Sequence, residues 1–162
     1  MKRRSLLKAG LAGSALLGVG GAALLVGRDP QRDRALILGA VVPAMLDGTL
    51  PVEPAARTAA IERVVDGVGV AIGLLAPSAQ TELERLFTLL ALAPGRRLLA
   101  GVGTDWPQAS IGEVAAFLEG WRVHRSTLFR AGYAALHDLV LGTWYADESA
   151  WSGIGYAGPL SL

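Results

Sequence analysis

The residue types that most often carry chemistry are scarce in this sequence. His124 and His137 are the only histidines, and they lie 13 positions apart. Two metal-ligating histidines on one helix need a separation of three or four residues, so this spacing does not predict a metal site. Cysteine is absent and no lysine follows Lys8. The absence of cysteine excludes thiolate metal sites, cysteine-held iron–sulfur clusters and a cysteine nucleophile. The absence of lysine beyond Lys8 excludes a Schiff-base lysine and a P-loop lysine from the rest of the chain.

Four short pairs of charged residues remain as candidate polar sites: Glu82/Glu84, Asp147/Glu148, Arg96-Arg97 and Arg122-x-x-Arg125. We expect the acidic pairs to cap or solvate helix ends rather than to act as a catalytic dyad. The arginine pairs are expected on solvated faces, with contact to an anion or to a partner as the alternative. No G-x-S-x-G motif occurs, so a Ser-His-Asp triad is not predicted.

Two glycine-rich stretches resemble fragments of nucleotide-binding loops. Residues 18–23 match G-x-G-x-x-A, but that pattern binds a dinucleotide only between a strand and a helix. Here it lies inside a long apolar run, so we assign it no cofactor. Gly67-Val-Gly69 would need a further glycine where Ile72 stands. We interpret this second stretch as part of a helix, in which Gly69-x-x-x-Gly73 allows a close backbone approach by a neighbouring element.

Composition predicts one globular domain with a hydrophobic core. The chain has 162 residues, of which 52% are apolar and 18% are charged. Beyond residue 27 there are 11 arginines and 14 acidic residues, a formal charge of −3. A weakly acidic body is not typical of a nucleic-acid-binding protein, which usually has a basic stripe.

The N-terminus has the pattern of an export signal. Basic residues precede an apolar, glycine-rich run from Ala9 to Val26. Five residues resemble the twin-arginine motif R-R-x-[F/L]-L-K, namely Arg3, Arg4, Leu6, Leu7 and Lys8. The alternative is an ordinary membrane anchor. As a helix, the 18 residues of this run would span only about 27 Å, slightly less than the bilayer core of about 30 Å. We assign residues 1–27 to the signal, which is either cleaved or retained as an inner-membrane anchor.

From residue 28 to residue 162 the apolar residues recur with helical spacing, and no stretch alternates like a strand. Helix starts are marked by Asp29-Pro30, Pro54, Pro77-Ser78, the capping box Ser110-x-x-Glu113 and Ser126. Pro43 is expected to kink or end the first helix, and residues 94–103 to form one or two amphipathic turns. The predicted fold is a single all-α bundle of about five helices, followed by an irregular tail.

Each predicted helix has an inward row of apolar residues, and these rows form the predicted core. The rows are Leu36, Ile37, Ala40, Val41 and Ala44 in the first helix; Ile61, Val65, Val68, Ile72 and Leu75 in the second; Leu83, Leu86, Phe87 and Leu90 in the third; Val114, Phe117, Leu118 and Trp121 in the fourth; and Phe129, Tyr133, Leu136, Val140 and Trp144 in the fifth.

The aromatic residues are concentrated late in the chain. Nine of the ten lie at or after Trp106. Most of them fit the core of the last two helices, but Trp151 and Tyr156 lie in a glycine-rich tail without helical spacing. A tail of this composition does not pack alone. It docks either on its own bundle or on another protein, where Trp and Tyr are enriched in binding surfaces.

The leader and the C-terminal pattern together resemble one protein family. The pattern consists of Trp144-Tyr145, Trp151, Gly155-Tyr156 and Gly158-Pro159. It is similar to the ending of the small subunits of membrane-associated flavin-dependent dehydrogenases of the glucose–methanol–choline type. These include gluconate 2-dehydrogenase subunit 3-like proteins and the gamma subunits of bacterial glucose and sorbitol dehydrogenases. Trp144 and Ala157 replace a tyrosine and a proline of the family pattern, and residues 30–140 resemble the family only in being helical and apolar.

The resemblance implies a small subunit without catalytic residues, metal or cofactor. In the family, FAD is bound by a large subunit that lacks its own signal and is exported with the small one, and a membrane-bound multihaem cytochrome c often accepts the electrons. The expected partners are therefore a flavoprotein dehydrogenase, such a cytochrome and, during export, the twin-arginine translocase, with a periplasmic location. The interface is expected within residues 144–160 of a domain that spans 28–162. The alternative is a stand-alone periplasmic or membrane-tethered helical protein that binds a small apolar ligand in its bundle.

Overall fold

The computed structural model describes residues 28–148, and within this range the chain is helical without strands. Five helices have 12 to 20 residues: α1 Pro30–Met45, α2 Pro54–Gly73, α3 Pro77–Ala91, α4 Ile111–Arg122 and α5 Thr127–Ala146. A three-residue α-helical turn Ala93–Gly95, a π-helix Arg96–Ala100 and a 3-10 helix Trp106–Gln108 connect α3 to α4. The predicted all-α class and the five predicted helix starts are confirmed for these residues.

The start of α2 shows how local chemistry places a helix boundary. Pro54 stands at the first helical position, where its missing N–H removes no helical hydrogen bond. The carboxylate of Glu53 accepts hydrogen bonds from the N–H groups of Ala55 and Ala56, at 3.0 and 2.6 Å. These bonds favour the ionised carboxylate and lower the pKa of Glu53 below its usual value of 4.5.

The predicted capping box at the start of α4 is confirmed. The N–H of Glu113 donates to the hydroxyl of Ser110 at 3.2 Å, and the N–H of Ser110 donates back to the Glu113 carboxylate at 3.0 Å. The bond from the Ser110 N–H, followed by the bond from its hydroxyl, lowers the pKa of Glu113. Two backbone donors without helical partners are thereby satisfied.

Helix α1 is the central element of the bundle, because it packs against α2, α3, α4 and the turn Trp106–Gln108. Leu38 and Val42 are fully buried although the predicted row omits them, and the predicted Leu36 is 36% exposed. Of the other predicted apolar residues of α1, Ile37 and Val41 are fully buried, and Ala40 and Ala44 pack against the core. A helix with neighbours on several sides buries more than one stripe. Pro43 does not end the helix at once, since α1 continues to Met45.

The inward face of α2 differs by one position from the predicted row over its first half. Ala60 and Val64 are buried there, while the predicted Ile61 and Val65 are half-buried. The predicted Leu75 lies beyond the end of the helix and is 36% exposed. Which side of α2 is buried is therefore determined by the helices that pack against it and not by the size of its own side chains.

The glycines of α2 show what those neighbours are. Thr143 of α5 packs its methyl group against Gly67, and the Arg34 guanidinium of α1 lies against Gly69. At Gly69 the neighbour is therefore the end of an arginine side chain and not a backbone, so the predicted close backbone approach is not found there. It is also wrong at Gly73, because a Cβ there would have nothing within 4 Å.

Aromatic rings link the last two helices to the preceding turn. Trp106, Phe117, Trp121 and Phe129 form successive edge-to-face pairs with centroid distances of 5.9, 4.8 and 5.3 Å. The indole N–H of Trp106 donates to the carbonyl of Leu90 at 2.8 Å, near the end of α3. It satisfies a carbonyl in the last turn, which has no partner within the helix.

The apolar rows predicted for α3, α4 and α5 are confirmed as parts of the core. All four predicted residues of α4 are buried, at 1 to 5% exposure. In α3 and α5 the row is buried at some positions and half-buried at the others, where the side chains still pack against the core: Leu83, Leu86, Phe129 and Tyr133.

The segment between α3 and α4 contains a buried charge that the sequence did not indicate. The predicted amphipathic turns are present as the π-helix, which ends at Gly101 with a φ of +69°. Arg97 is exposed, as expected, but Arg96 is only 5% exposed, so its assignment to a solvated face is wrong. Its Nη1 lies 2.6 Å from Oδ1 of Asp105. A buried guanidinium requires such a partner, and Asp105 reaches it from the following loop.

Candidate partner-binding surface

Two of the predicted interface residues, Trp144 and Tyr145, lie in the described part of the chain, at the end of α5. The side chain of Trp144 is 5% exposed and belongs to the core, whereas Tyr145 is 45% exposed. Adjacent helical residues point about 100° apart, which places one ring inside and the other at the surface. Contact of Trp144 with a partner stays a prediction, and Tyr145 is the ring that the body of the chain presents.

The remaining predicted site residues lie outside residues 28–148. They are the export residues Arg3, Arg4, Leu6, Leu7 and Lys8 and the tail residues Trp151, Gly155, Tyr156, Gly158 and Pro159. Their roles stay predictions.

The last turn of α5 is held on the body by α2. Arg63 donates through Nε to Oδ2 of Asp147 at 3.1 Å. The N–H of Asp147 also donates to the carbonyl of Trp144 at 3.2 Å. Together with the packing of Thr143 on Gly67, these contacts join the C-terminal end of α5 to α2.

A shallow groove of about 270 Å³ runs beside α5, between the end of α1 and the side of α4. Its lining is mostly small or apolar and consists of Ala44, Met45, Ala115, Leu118, Glu119, Tyr133, His137 and Leu141. The α5 wall repeats every four residues, and Tyr145 occupies the next position of that repeat. We call Tyr133, His137, Leu141 and Tyr145 the α5 face. Side chains four apart are shifted by only about 40° around a helix, so the α5 face winds slowly from the groove towards the end of α5.

One carboxylate that lines the groove, that of Glu119, is ion-paired with Arg122. Glu119 accepts two hydrogen bonds from Arg122, both at 2.7 Å, which lower the pKa of Glu119 and raise that of Arg122. On the other wall, Nδ1 of His137 lies 3.4 Å from a carboxylate oxygen of Asp138. The groove thus combines small and apolar side chains with Glu119 and His137, and protein–protein contacts have such a mixed composition.

Neither histidine is arranged as a ligand. His124 accepts through Nδ1 a hydrogen bond from the N–H of Ser126 at 3.0 Å, and its ring lies 4.3 Å from that of Phe129. The ring of His137 lies 5.6 Å from that of Tyr133. Among residues 28–148, no three His, Asp or Glu side chains are grouped so that they could hold a metal ion. In the same range, no helix is both long and apolar enough to cross a membrane.

The groove and the α5 face were not predicted from the sequence. Tyr133 was assigned to the core, His137 was considered only as a metal ligand, and Leu141 was not singled out. The four-residue repeat of large side chains from Tyr133 to Tyr145 was the available signal. This repeat lies next to the inward row Leu136, Val140 and Trp144. Which of the two rows is buried and which lines a groove can be distinguished only when the neighbours of α5 are known.

Comparison of the chain with protein-family models, with curated proteins and with solved structures finds no match.

Proposed function

We propose that this chain is a non-catalytic small subunit that escorts a flavin-dependent sugar or alcohol dehydrogenase through the twin-arginine route and stabilises it in the periplasm. The observation that carries the proposal is the combination, in one chain, of the Arg3-Arg4 leader with the aromatic and glycine pattern from Trp144 to Pro159. The twin-arginine route transports folded proteins, often with cofactor already bound. This chain has no recognisable cofactor motif of its own. The route is therefore explained if the chain is exported together with a folded partner that carries the cofactor.

The geometry at the end of α5 supports a docking role. The Arg63–Asp147 ion pair holds the last turn of α5 on α2, so the tail pattern follows from a defined point of the body. The α5 face, with Tyr145 exposed at its end, adds an apolar groove beside that point. A partner that binds the tail would thus meet a preformed surface, which reduces the entropic cost of association.

In this proposal the large subunit binds FAD and passes its electrons to a membrane-bound multihaem cytochrome c. The small subunit contributes binding energy and the export signal. Tyr and Trp side chains supply much of the binding energy in protein interfaces because they bury a large area with few rotatable bonds. The residues assigned to this contact are Tyr145, Trp151 and Tyr156, framed by Gly155, Gly158 and Pro159.

The test is immunoprecipitation of the full chain from periplasmic and membrane fractions of its native host. The expected result is a co-purified larger protein that has no signal of its own and carries bound flavin, seen as yellow absorbance. Recovery of the chain alone from both fractions would overturn the proposal. A parallel sample with Arg3→Lys and Arg4→Lys controls for the route, since both proteins should then stay in the cytoplasm.

A second candidate function is favoured by the groove beside α5. Its mostly small or apolar lining residues and its volume of about 270 Å³ favour a small, largely apolar ligand bound by a stand-alone helical protein. An apolar fluorescent probe should then bind the purified chain, and Ala115→Phe, which fills the groove, should abolish that binding. Co-purification of the flavoprotein without probe binding decides for the first function.

A further inference from the structure

The start of α1 and the end of α2 form one edge of the bundle. The two helices are consecutive, and a groove of about 440 Å³ lies between Gln31, Arg34 and Ala35 of α1 and Val65, Asp66, Gly69 and Val70 of α2. Early α1 residues therefore face late α2 residues, as in an antiparallel pair. The described part of the chain begins at this edge, since Arg28 and Asp29 directly precede α1.

The entry point of the chain is held in place by an ion pair. Arg28 donates to Asp33 through Nε at 2.9 Å and through Nη2 at 2.6 Å. Asp33 is only 4% exposed, so Arg28 is tied to a buried group of the first turn of α1. Val26, the last residue of the apolar run, is only two positions earlier in the sequence. The predicted leader consequently ends next to this edge.

The same edge exposes apolar side chains. Val70 is 68% exposed, Leu74 83% and Leu75 36%. Val70 and Leu74 are four residues apart, and Gly73 between them has nothing within 4 Å of its Cβ position. We call Val70, Leu74 and Leu75 the leader-side edge. Single exposed apolar residues are normal at a protein surface. Three of them within six positions are unusual and often mark a contact surface.

Arginines of α1 lie at this edge as well. Arg32 and Arg34 make no ion pair within residues 28–148. Arg34 lines the groove together with Asp66 and Val70, and its guanidinium lies against Gly69. Guanidinium groups bind phosphate oxygens well, and basic residues next to a membrane-inserted segment are attracted to anionic headgroups.

We propose that the leader-side edge rests on the phospholipid bilayer that the leader enters, with Val70 and Leu74 at the boundary between headgroups and acyl chains. A leader inserted in the bilayer leaves Arg28 at the membrane surface. Because the edge adjoins Arg28, the body then has one orientation in which the exposed apolar residues leave water and Arg32 and Arg34 meet phosphates. This inference goes beyond the proposed function, because it depends on the predicted leader and not on a flavoprotein.

The absence of cysteine from the chain makes a site-specific test direct. Leu74→Cys is labelled with an environment-sensitive fluorophore in the full chain, which is then bound to vesicles of phosphatidylethanolamine and phosphatidylglycerol containing a nitroxide-labelled lipid. The matched control is Val52→Cys, which is 97% exposed just before the other end of α2, about 30 Å away along the helix.

Quenching at Leu74→Cys should exceed that at Val52→Cys by at least about threefold, because an interfacial side chain lies about 5–10 Å into the headgroup and acyl boundary. Equal quenching at the two sites overturns the proposal. Shielding of the Leu74→Cys label in the absence of vesicles also overturns it, because the leader or a second copy of the chain would then cover the edge.

A second variant measures the contribution of the edge to binding. Val70→Ser with Leu74→Ser changes only exposed side chains, so the fold is retained, as circular dichroism verifies. The vesicle-bound fraction at limiting lipid should correspond to a partition coefficient about tenfold lower, and Val52→Ser with Leu98→Ser should leave it unchanged. An equal effect of both pairs contradicts the proposal. No flavoprotein is present, so failure here is distinguishable from failure of the escort function.

Discussion

The indole ring of Trp121 lies directly over Gly132, so that a Cβ at residue 132 would be 2.7 Å from Cζ3 of the ring. The ring is fixed from its other side, because its Nε1 donates to the carbonyl of Leu99 at 2.8 Å. Phe117 and Phe129 contact it edge to face. Helices α4 and α5 can approach each other this closely only because residue 132 has no side chain.

Gly132→Ala should therefore lower the free energy of unfolding by about 1–3 kcal/mol, the usual cost of overpacking a core. The matched control is Gly142→Ala on the same helix, where nothing lies within 4 Å of the added Cβ. That variant should raise stability by up to about 1 kcal/mol, since alanine is the better helix former. Urea unfolding followed by tryptophan fluorescence measures both, and equal stability of the two variants would contradict this packing.

The buried guanidinium of Arg96 depends on Asp105. Asp105→Asn should destabilise the chain by about 1–2 kcal/mol, a value at the low end for a buried pair because the Asp105 side chain is 71% exposed. Arg96→Met added to this variant should restore part of the loss. It removes the unpaired charge together with Nε, which has no hydrogen-bond partner among the described residues. A double variant less stable than Asp105→Asn alone would refute this argument.

Stability should fall in acid through the two capping carboxylates. The folded-state pKa values of Glu53 and Glu113 are lowered from 4.5, so the unfolded chain binds more protons than the folded chain below that pH. Their contribution is complete above pH 4.5 and is lost as the pH falls through the lowered values. Glu53→Gln with Glu113→Gln should flatten the dependence of the thermal midpoint on pH in this window.

The control for the acid titration is Glu62→Gln with Glu84→Gln, which also removes two carboxylates, from exposed positions of α2 and α3, without removing a capping bond. It should keep the acid loss of the parent chain. If all variants lose stability equally, the caps are not the groups responsible.

Export should depend on the arginine pair. The translocase receptor reads both guanidinium groups, and the point charge of lysine does not replace their planar donors. Arg3→Lys with Arg4→Lys should leave the chain in the cytoplasm, as cell fractionation measures, whereas Lys2→Arg, outside the pair, should be exported normally. Normal periplasmic amounts of the double-lysine variant would assign the leader to the general secretory route and remove the main support for an escort.

The tail variants separate docking on a partner from docking on the bundle. Trp151→Ala with Tyr156→Ala should weaken association with the large subunit at least about thirtyfold, since truncating an interface hot spot typically costs about 2 kcal/mol or more. The thermal midpoint of the isolated small subunit should stay unchanged. A lower midpoint with intact affinity would show that both rings pack on their own bundle.

Most of the secondary structure could be predicted from the sequence because it is decided by neighbours in the chain. Proline at the first position of three helices, the capping box at Ser110 and Glu113, and the spacing of Val114, Phe117 and Trp121 act within one or two turns. The sequence by itself therefore determined the all-α class, the five helix starts and the inward row of α4. It also determined which kinds of chemistry are excluded, because composition limits them directly.

Contacts between distant residues were decided only by the tertiary structure. From the sequence alone, Arg96 is expected at the surface, and only the fold shows that it is buried and paired with Asp105. Likewise, α2 buries Ala60 rather than Ile61 because it packs against both α1 and α5. The α5 face appears only when the groove beside Leu141 is formed by α1 and α4. Helical periodicity gives an angle around one axis, but which angle faces the core depends on where the other helices pack.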